Sequence, residues 1–165
     1  MDIQVFNQLP RNDAQSELIK CCSSLSWVEK MVKGRPYNDF LDLIEKSEKI
    51  WFSLNKGDWL EAFSGHPKIG DISSLKKKFK ETKRWANNEQ AGMNNATDEI
   101  INELAHYNEI YEQKFGFIFI VCATGKSAQE MLQLIKLRYV NAPEEEIKIA
   151  VMEQSKITKL RLEKL

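Results

Sequence analysis

The feature that most constrains the fold is a stripe of mostly apolar side chains with helical period. Between residues 38 and 55, these side chains recur at alternating steps of three and four residues. Such spacing places them on one face of an α-helix that can lie on a hydrophobic core. The predicted face comprises Phe40, Leu43, Ile44, Ser47, Ile50, Trp51 and Leu54. Asn38 or Asp39 can cap the start of this helix through its side-chain oxygen.

Helical patterns or helix-boundary residues cover most of the remaining chain. The further predicted helices are 3–9, 13–22, 26–32, 59–64, 72–84, 97–115, 127–137 and 143–165. Seven glycines and four prolines in 165 residues are few, which favours helices joined by short loops over a many-stranded sandwich. A chain of this length can bury one sizeable core. We therefore expect an all-α fold, with about eight or nine helices in a single compact domain over residues 1–165.

Residues Phe117–Cys122 form the only continuous apolar run. Its composition is typical of a strand, but a lone strand has no partner for its backbone groups. We expect a buried extended connector near 117–123, or the start of a helix. The backbone groups of such a connector need hydrogen-bond partners, and a polar ligand can supply some. The following Ala123–Ser127 imitates the end of a P-loop, but Ile120 stands where that motif requires glycine.

Charge, hydropathy and cysteine usage exclude several classes of partner. The 24 basic and 24 acidic residues balance, so we do not expect nucleic acid to bind. No apolar run reaches the roughly 18 residues that span a bilayer, and the N-terminus does not resemble a secretion signal. Cys21, Cys22 and Cys122 are odd in number, which favours free thiols in a reducing cytoplasm. His66 and His106 lack a metal-binding spacing, so no metal site is expected.

His66 is the candidate acid–base residue. It follows a short amphipathic run that Gly65 interrupts, and Pro67 biases its backbone toward an extended conformation. A histidine on such a stiff corner can be aimed at a ligand, and its side chain titrates near neutral pH. From the sequence alone, His66 can equally be an ordinary turn residue on the surface.

Four blocks of sequence occur together in a recognisable order. They are Gly65-His-Pro-Lys-Ile-Gly-Asp71, Asn88-Glu-Gln-Ala-Gly92, Lys114-Phe-Gly-Phe-Ile-Phe-Ile-Val-Cys-Ala-Thr-Gly-Lys126 and Glu153-Gln-Ser-Lys-Ile-Thr-Lys-Leu-Arg-Leu162. Together they resemble the 2-oxo-4-hydroxy-4-carboxy-5-ureidoimidazoline (OHCU) decarboxylase family of purine catabolism. The resemblance implies an all-helical, cofactor-free homodimer that converts the anionic OHCU to (S)-allantoin and carbon dioxide.

The same resemblance implies which residues form the site. His66 matches the catalytic histidine, and Glu89 and Gln90 match the family's acid–amide pair. Glu89 can orient the imidazole or bind ureido hydrogens, and we expect it to be the electrostatic partner of His66. The implied substrate-binding residues are Pro67, Ala86, Asn87, Asn88, Glu89, Gln90, Phe119, Ile120, Val121, Cys122, Ala123 and Arg161. Ala86 departs from the family pattern, which often has serine there, so the hydroxyl contact is absent or Asn87 or Asn88 supplies a substitute.

Taken singly, these residues also allow structural interpretations. Glu89 and Gln90 can be helix-start residues, and Arg161 can pair with Glu153 or Glu163 on a solvated face. The alternative function is a non-catalytic helical module that binds a ligand or a partner and has kept the fold without the chemistry.

Overall fold

The computed structural model describes residues 1–66 and 97–165, and these two ranges contain eight helices and no strand. The helices are α1 (Ile3–Gln8), α2 (Arg11–Cys21), α3 (Leu25–Lys33), α4 (Phe40–Phe52), α5 (Lys56–Ser64), α6 (Asp98–Phe115), α7 (Ala128–Tyr139) and α8 (Pro143–Leu162). The all-α prediction is confirmed. The helix predicted over residues 72–84 lies outside the described residues. None of the described helices is both long and apolar enough to cross a bilayer.

The described residues group into two compact units. The first unit contains Met1–His66, Ile120–Cys122 and Lys148–Leu165. The second contains, among the described residues, 97–119 and 123–147. Helix α8 therefore begins in the second unit and continues in the first. The prediction of a single domain over the whole chain stays a prediction.

Two tryptophans anchor the core of the first unit. Trp27 of α3 and Trp51 of α4 are both buried. Each indole N–H donates to a main-chain carbonyl, that of Ser47 at 3.3 Å for Trp27 and that of Val151 at 2.9 Å for Trp51. A buried indole N–H requires a hydrogen-bond partner. The partner of the Trp51 indole lies on α8, so this bond holds α4 against α8, 100 residues away in sequence.

Most of the predicted apolar face of α4 is confirmed. Leu43, Ile44, Ser47, Trp51 and, just beyond the helix, Leu54 are buried, whereas Ile50 is half-buried. Phe40 was expected to face the core but is 40% exposed. It is the first residue of the helix, directly after the capping residue Asp39, which accepts a hydrogen bond from the backbone N–H of Asp42. No earlier turn of α4 therefore exists to cover the Phe40 side chain from solvent on its N-terminal side.

Residues at other helix ends take the local roles that their residue types favour. Thr97 caps α6, and Gly116 ends it with a φ of 78°, in the left-handed region that favours glycine. Ser127 and Glu130 form a reciprocal capping box at the start of α7. The segment between these helices has neither helix nor strand over residues 117–123. The predicted connector is thus neither a helix nor a strand, and within it Phe117 and Ile120 are buried and the other residues are half-buried.

The inward face of α8 differs from the one that the spacing of its apolar residues predicts. That spacing places Ile147, Val151, Ile157 and Leu160 inward, but Ile147, Ile157 and Leu160 are half-buried. The buried residues are Glu146, Ala150, Val151, Gln154, Thr158 and Leu162. Three of these six are polar, so partners elsewhere in the fold decide which side of this helix is covered. The thiols of Cys21 and Cys22 are free and buried as expected, and Cys122 is free and half-buried.

Candidate active site

His66 lies directly after α5, where the chain turns. Its backbone N–H donates to the carbonyl of Phe63 at 3.2 Å. The preceding Gly65 packs closely against Ser23, two residues before α3. A Cβ added to Gly65 would lie 2.2 Å from Ser23 Oγ and 2.4 Å from Ser23 Cβ. Only glycine fits this approach, although its own backbone is in the ordinary helical region. The corner that carries His66 is thus fixed by contact with Ser23.

The His66 ring contacts a buried amide on α8. Nε2 of His66 lies 2.5 Å from Oε1 of Gln154, which is fully buried. Gln154 in turn donates through its own Nε2 to Thr158 Oγ1 at 3.1 Å. The polar residues on the buried face of α8 therefore form a hydrogen-bonded row that ends on the imidazole.

The surroundings of His66 favour its neutral form. Burial lowers the pKa of His66 below its usual value, and the positive charge of Arg161 lowers it further. The hydrogen bond to Gln154 opposes these effects but does not cancel them. The imidazole is therefore neutral at pH 7 and can accept a proton.

Arg161 shares this side of α8 with Gln154. The two residues are seven positions apart, which is two helical turns, so they project in nearly the same direction. Arg161 Nη1 donates to the main-chain carbonyls of Lys20 at 3.4 Å and Cys21 at 3.3 Å. These carbonyls belong to the last turn of α2, where a cation is favourable.

Glu153, which the sequence offers as an ion-pair partner of Arg161, accepts a hydrogen bond from the backbone N–H of Cys122 at 2.7 Å and pairs with Lys156 at 2.5 Å. Arg161 also borders an open cleft of about 590 Å³, whose walls include Lys20, Ser23 and Gly65.

The connector residues have different surroundings. Within the first unit, the Ile120 side chain is buried, and the Cys122 backbone N–H is held by Glu153. Within the second unit, the Phe119 ring packs edge-on against Tyr111 at 5.3 Å and lies under the guanidinium of Arg138 at 4.5 Å. Val121 and Ala123 are half-buried.

The remaining residues implied by the resemblance fall outside the described residues. These are Pro67, Ala86, Asn87, Asn88, Glu89 and Gln90, and their roles stay predictions. Among the described residues, His66 and Arg161 are brought to the same side of α8. Sequence reasoning missed Gln154 and Thr158, although both belong to the Glu153–Leu162 block. Polar residues four and seven positions apart along one helix face, at 154, 158 and 161, are the signal that could have identified them.

Comparison with known proteins assigns the chain to a family. The OHCU decarboxylase family profile matches residues 7–163. The chain is 40% identical over 146 residues to the uric acid degradation bifunctional protein TTL of Arabidopsis thaliana, covering 88% of this chain and 45% of that protein. It is 32% identical over 166 residues to a uric acid degradation bifunctional protein of Bacillus sp. strain TB-90, covering 100% of this chain and 32% of that protein. The chain thus spans less than half the length of these two relatives.

A solved structure gives the same assignment. The fold superimposes with a TM-score of 0.73 on a crystal structure of OHCU decarboxylase in the presence of (S)-allantoin. That protein is 39% identical to this chain, and the match covers 90% of this chain and 95% of the other. The similarity therefore extends over nearly the whole of both chains, and the resemblance noted in the sequence is confirmed. This chain belongs to the OHCU decarboxylase family.

Proposed function

We propose that this chain catalyses the decarboxylation of OHCU to (S)-allantoin and carbon dioxide, without a cofactor and with His66 as the acid–base residue. The family match over residues 7–163 supports the reaction. The observation that carries the role of His66 is the contact of its half-buried ring with Gln154, in which His66 Nε2 lies 2.5 Å from the buried Oε1 of Gln154. The lowered pKa of His66 favours the neutral ring.

The substrate supplies its own electron acceptor in this reaction. The carboxylate of OHCU is attached to a hydroxyl-bearing ring carbon that lies next to a C=N bond. When carbon dioxide leaves, the electron pair of the broken C–C bond forms a C=C bond, and the imine nitrogen takes up one proton. The hydroxyl then becomes a carbonyl as its proton leaves, and the neighbouring ring carbon gains a proton. This carbon is the new stereocentre.

His66 suits the last of these steps. A neutral imidazole can accept the hydroxyl proton and return it to the adjacent ring carbon, so that it acts first as base and then as acid. Delivery from one side chain on one face of the ring accounts for a single enantiomer. The lowered pKa of His66 keeps the imidazole ready to accept a proton at neutral pH.

Arg161 is the proposed anion-binding residue. Guanidinium offers five N–H donors in a planar fork, which suits a carboxylate. Because Nη1 is oriented by two carbonyls of α2, the other N–H groups of the guanidinium have a defined direction. Glu89 remains the proposed partner of His66, and Gln90, Pro67, the Ala86–Asn88 stretch and the connector residues remain proposed substrate contacts.

The function is tested by following optical activity. Urate is freshly oxidised in the presence of the hydrolase that yields OHCU, and the appearance of allantoin is followed by circular dichroism. We expect (S)-allantoin to form faster when this protein is added. His66→Asn should lower the catalysed rate by about 10²- to 10⁴-fold, the usual contribution of a positioned acid–base group.

His106→Asn is the matched control, because His106 is an exposed histidine on α6. It should keep the full rate. Equal rates with and without the protein would favour the non-catalytic module instead. Stereospecific turnover retained by His66→Asn would remove His66 from the mechanism.

The proposal also covers the oligomeric state and the cellular location. We propose a homodimer, as the family resemblance implies, which light scattering on the purified protein can test. We propose a cytoplasmic location, which is consistent with three free cysteines among the described residues, two of them buried.

A further inference from the structure

A neutral histidine can carry its proton on either ring nitrogen, and the choice decides which nitrogen can accept another proton. In His66, Nε2 is the nitrogen that contacts Gln154. The tautomer of His66 therefore depends on whether the amide oxygen or the amide nitrogen of Gln154 faces the ring.

The other end of the amide fixes this orientation. Gln154 Nε2 donates to Thr158 Oγ1 at 3.1 Å, so the amide oxygen is directed to His66. A hydroxyl has one proton and two lone pairs, so Thr158 Oγ1 can accept this amide N–H.

Burial keeps the Gln154 amide in this orientation. Gln154 and Thr158 are both buried, at 0% and 4% exposure, and lie one turn apart on α8. Buried amide and hydroxyl groups must satisfy their hydrogen bonds within the protein, because water cannot replace a missing partner. A reversed amide would lose the hydrogen bond from Gln154 Nε2 to Thr158 Oγ1 and would need Thr158 to donate instead.

We propose that Gln154, oriented by Thr158, is a positioning residue that holds His66 as the Nε2–H tautomer, so that Nδ1 exchanges protons with the substrate. This inference rests on the decarboxylation proposed above. It assigns the polar face of α8 a role in that reaction: Nδ1 receives the hydroxyl proton of OHCU and returns it to the ring carbon, while Nε2 keeps its own proton throughout.

The wild-type protein provides the first test, without any substitution. The ring nitrogens of a neutral imidazole have well-separated ¹⁵N resonances, and the chain has only two histidines. In protein labelled with ¹⁵N-histidine, His66 should show a protonated Nε2 and an unprotonated Nδ1 above its pKa. The exposed His106 should show the mixture of tautomers typical of free imidazole. A His66 signal with the proton on Nδ1 overturns the proposal.

Variants at Thr158 provide the second test. Thr158→Val keeps the shape but removes the acceptor of the Gln154 amide, and Thr158→Ser keeps the hydroxyl. We expect Thr158→Val to show a mixture of His66 tautomers and to lower kcat about tenfold, with little change in KM. The comparison is with residues that orient metal-bound histidines, whose removal typically costs about 10- to 100-fold. Thr158→Ser should restore both the single tautomer and the rate.

The two readouts separate the inference from the proposed function. If the wild-type protein produces no (S)-allantoin, the proposed function fails whatever the tautomer, and with it the role of Nδ1 in the reaction. If the wild-type protein turns over but Thr158→Val keeps both the wild-type tautomer and the wild-type kcat, the positioning role fails while the decarboxylation stands. Thermal unfolding of each variant shows whether a loss of rate reflects a loss of fold.

Discussion

Helix α8 carries two buried polar clusters that contrast in charge. In the second unit, the first turn of α8 presents Glu146, which is 0% exposed and bonded to Tyr111, Arg138 and Asn141. In the first unit, the later turns present Gln154, which is equally buried but neutral. The first cluster holds an ion pair, and the second holds a neutral imidazole.

The charged cluster is saturated around the carboxylate. Glu146 Oε1 accepts from Tyr111 at 2.5 Å and from Arg138 Nε at 2.7 Å, and Oε2 accepts from Asn141 at 3.0 Å. Burial raises the pKa of Tyr111 far above its usual value, and its bond to Glu146 adds to this effect. A carboxylate with every oxygen occupied and a phenol that does not ionise are suited to holding helices together.

The neutral cluster is suited to proton transfer. His66 has a lowered pKa, so a proton that arrives on the ring can leave again readily. The comparison teaches that burial of a polar group does not by itself indicate a functional site. The ability of a buried group to change its protonation state distinguishes the His66 cluster from the Glu146 cluster.

Breaking the charged cluster should have the largest effect on stability. Glu146→Ala removes a buried ion-pair partner of Arg138, which is also buried. Removal of one member of a buried ion pair typically costs about 3–5 kcal/mol, because the other charge stays buried and uncompensated. Urea denaturation measures the free energy of unfolding. Glu144→Ala, at an exposed acid in the same turn, should change it by less than about 0.5 kcal/mol.

A loss of less than about 1 kcal/mol in Glu146→Ala would mean that the cluster is not structural. The pKa of His66 in the folded variant should stay at its wild-type value. A shift in that pKa would remove the distinction between the two clusters.

Changes at Arg161 should act on the neutral cluster by two separable routes. Arg161→Gln removes a charge that lowers the pKa of His66, so that pKa should rise in an NMR titration. It also removes the proposed substrate contact, so KM should rise about 10- to 100-fold, as expected for a hydrogen bond to a charged group worth about 1.5–3 kcal/mol.

Arg161→Lys is the matched control for charge, since lysine keeps the charge without the planar fork. It should leave the pKa of His66 low but still raise KM. If Arg161→Gln changed neither quantity, Arg161 would serve only to bind the carbonyls at the end of α2.

A methyl group at the corner before His66 should have a smaller effect. Gly65→Ala forces a Cβ against Ser23, and overpacking of this kind typically costs about 1–3 kcal/mol. Ser23→Gly should remove the obstruction, so the double variant should recover most of the lost stability and activity. A double variant no more stable than Gly65→Ala would show that the contact with Ser23 does not position the corner.

Local signals in the sequence explain most of what could be predicted. The capping residues Asp39, Thr97 and Ser127 act through their own first turns, and Gly116 acts through its own φ, so neighbouring residues suffice to identify them. The apolar face of α4 likewise follows from its period.

The buried polar face of α8 could not be predicted in the same way. Glu146 resembles a solvated first-turn acid, and three acids do begin α8. Its partners Tyr111 and Arg138 lie on other helices, 35 and eight residues away. Gln154 is buried because His66, 88 residues earlier, supplies its partner. A polar side chain can be assigned to a buried face only when such distant partners are known.

The most direct test of the acid–base role compares kinetics with titration in the same protein. The pH dependence of kcat/KM reports groups of the free enzyme, and NMR gives the pKa of His66 in that enzyme. Because neutral His66 is the proposed reactive form, kcat/KM should fall as the pH drops through the pKa of His66, which lies below the usual histidine value of about 6.5. An acidic limb that coincides with the His66 titration agrees with this account. A kcat/KM that stays constant while His66 becomes protonated would contradict it.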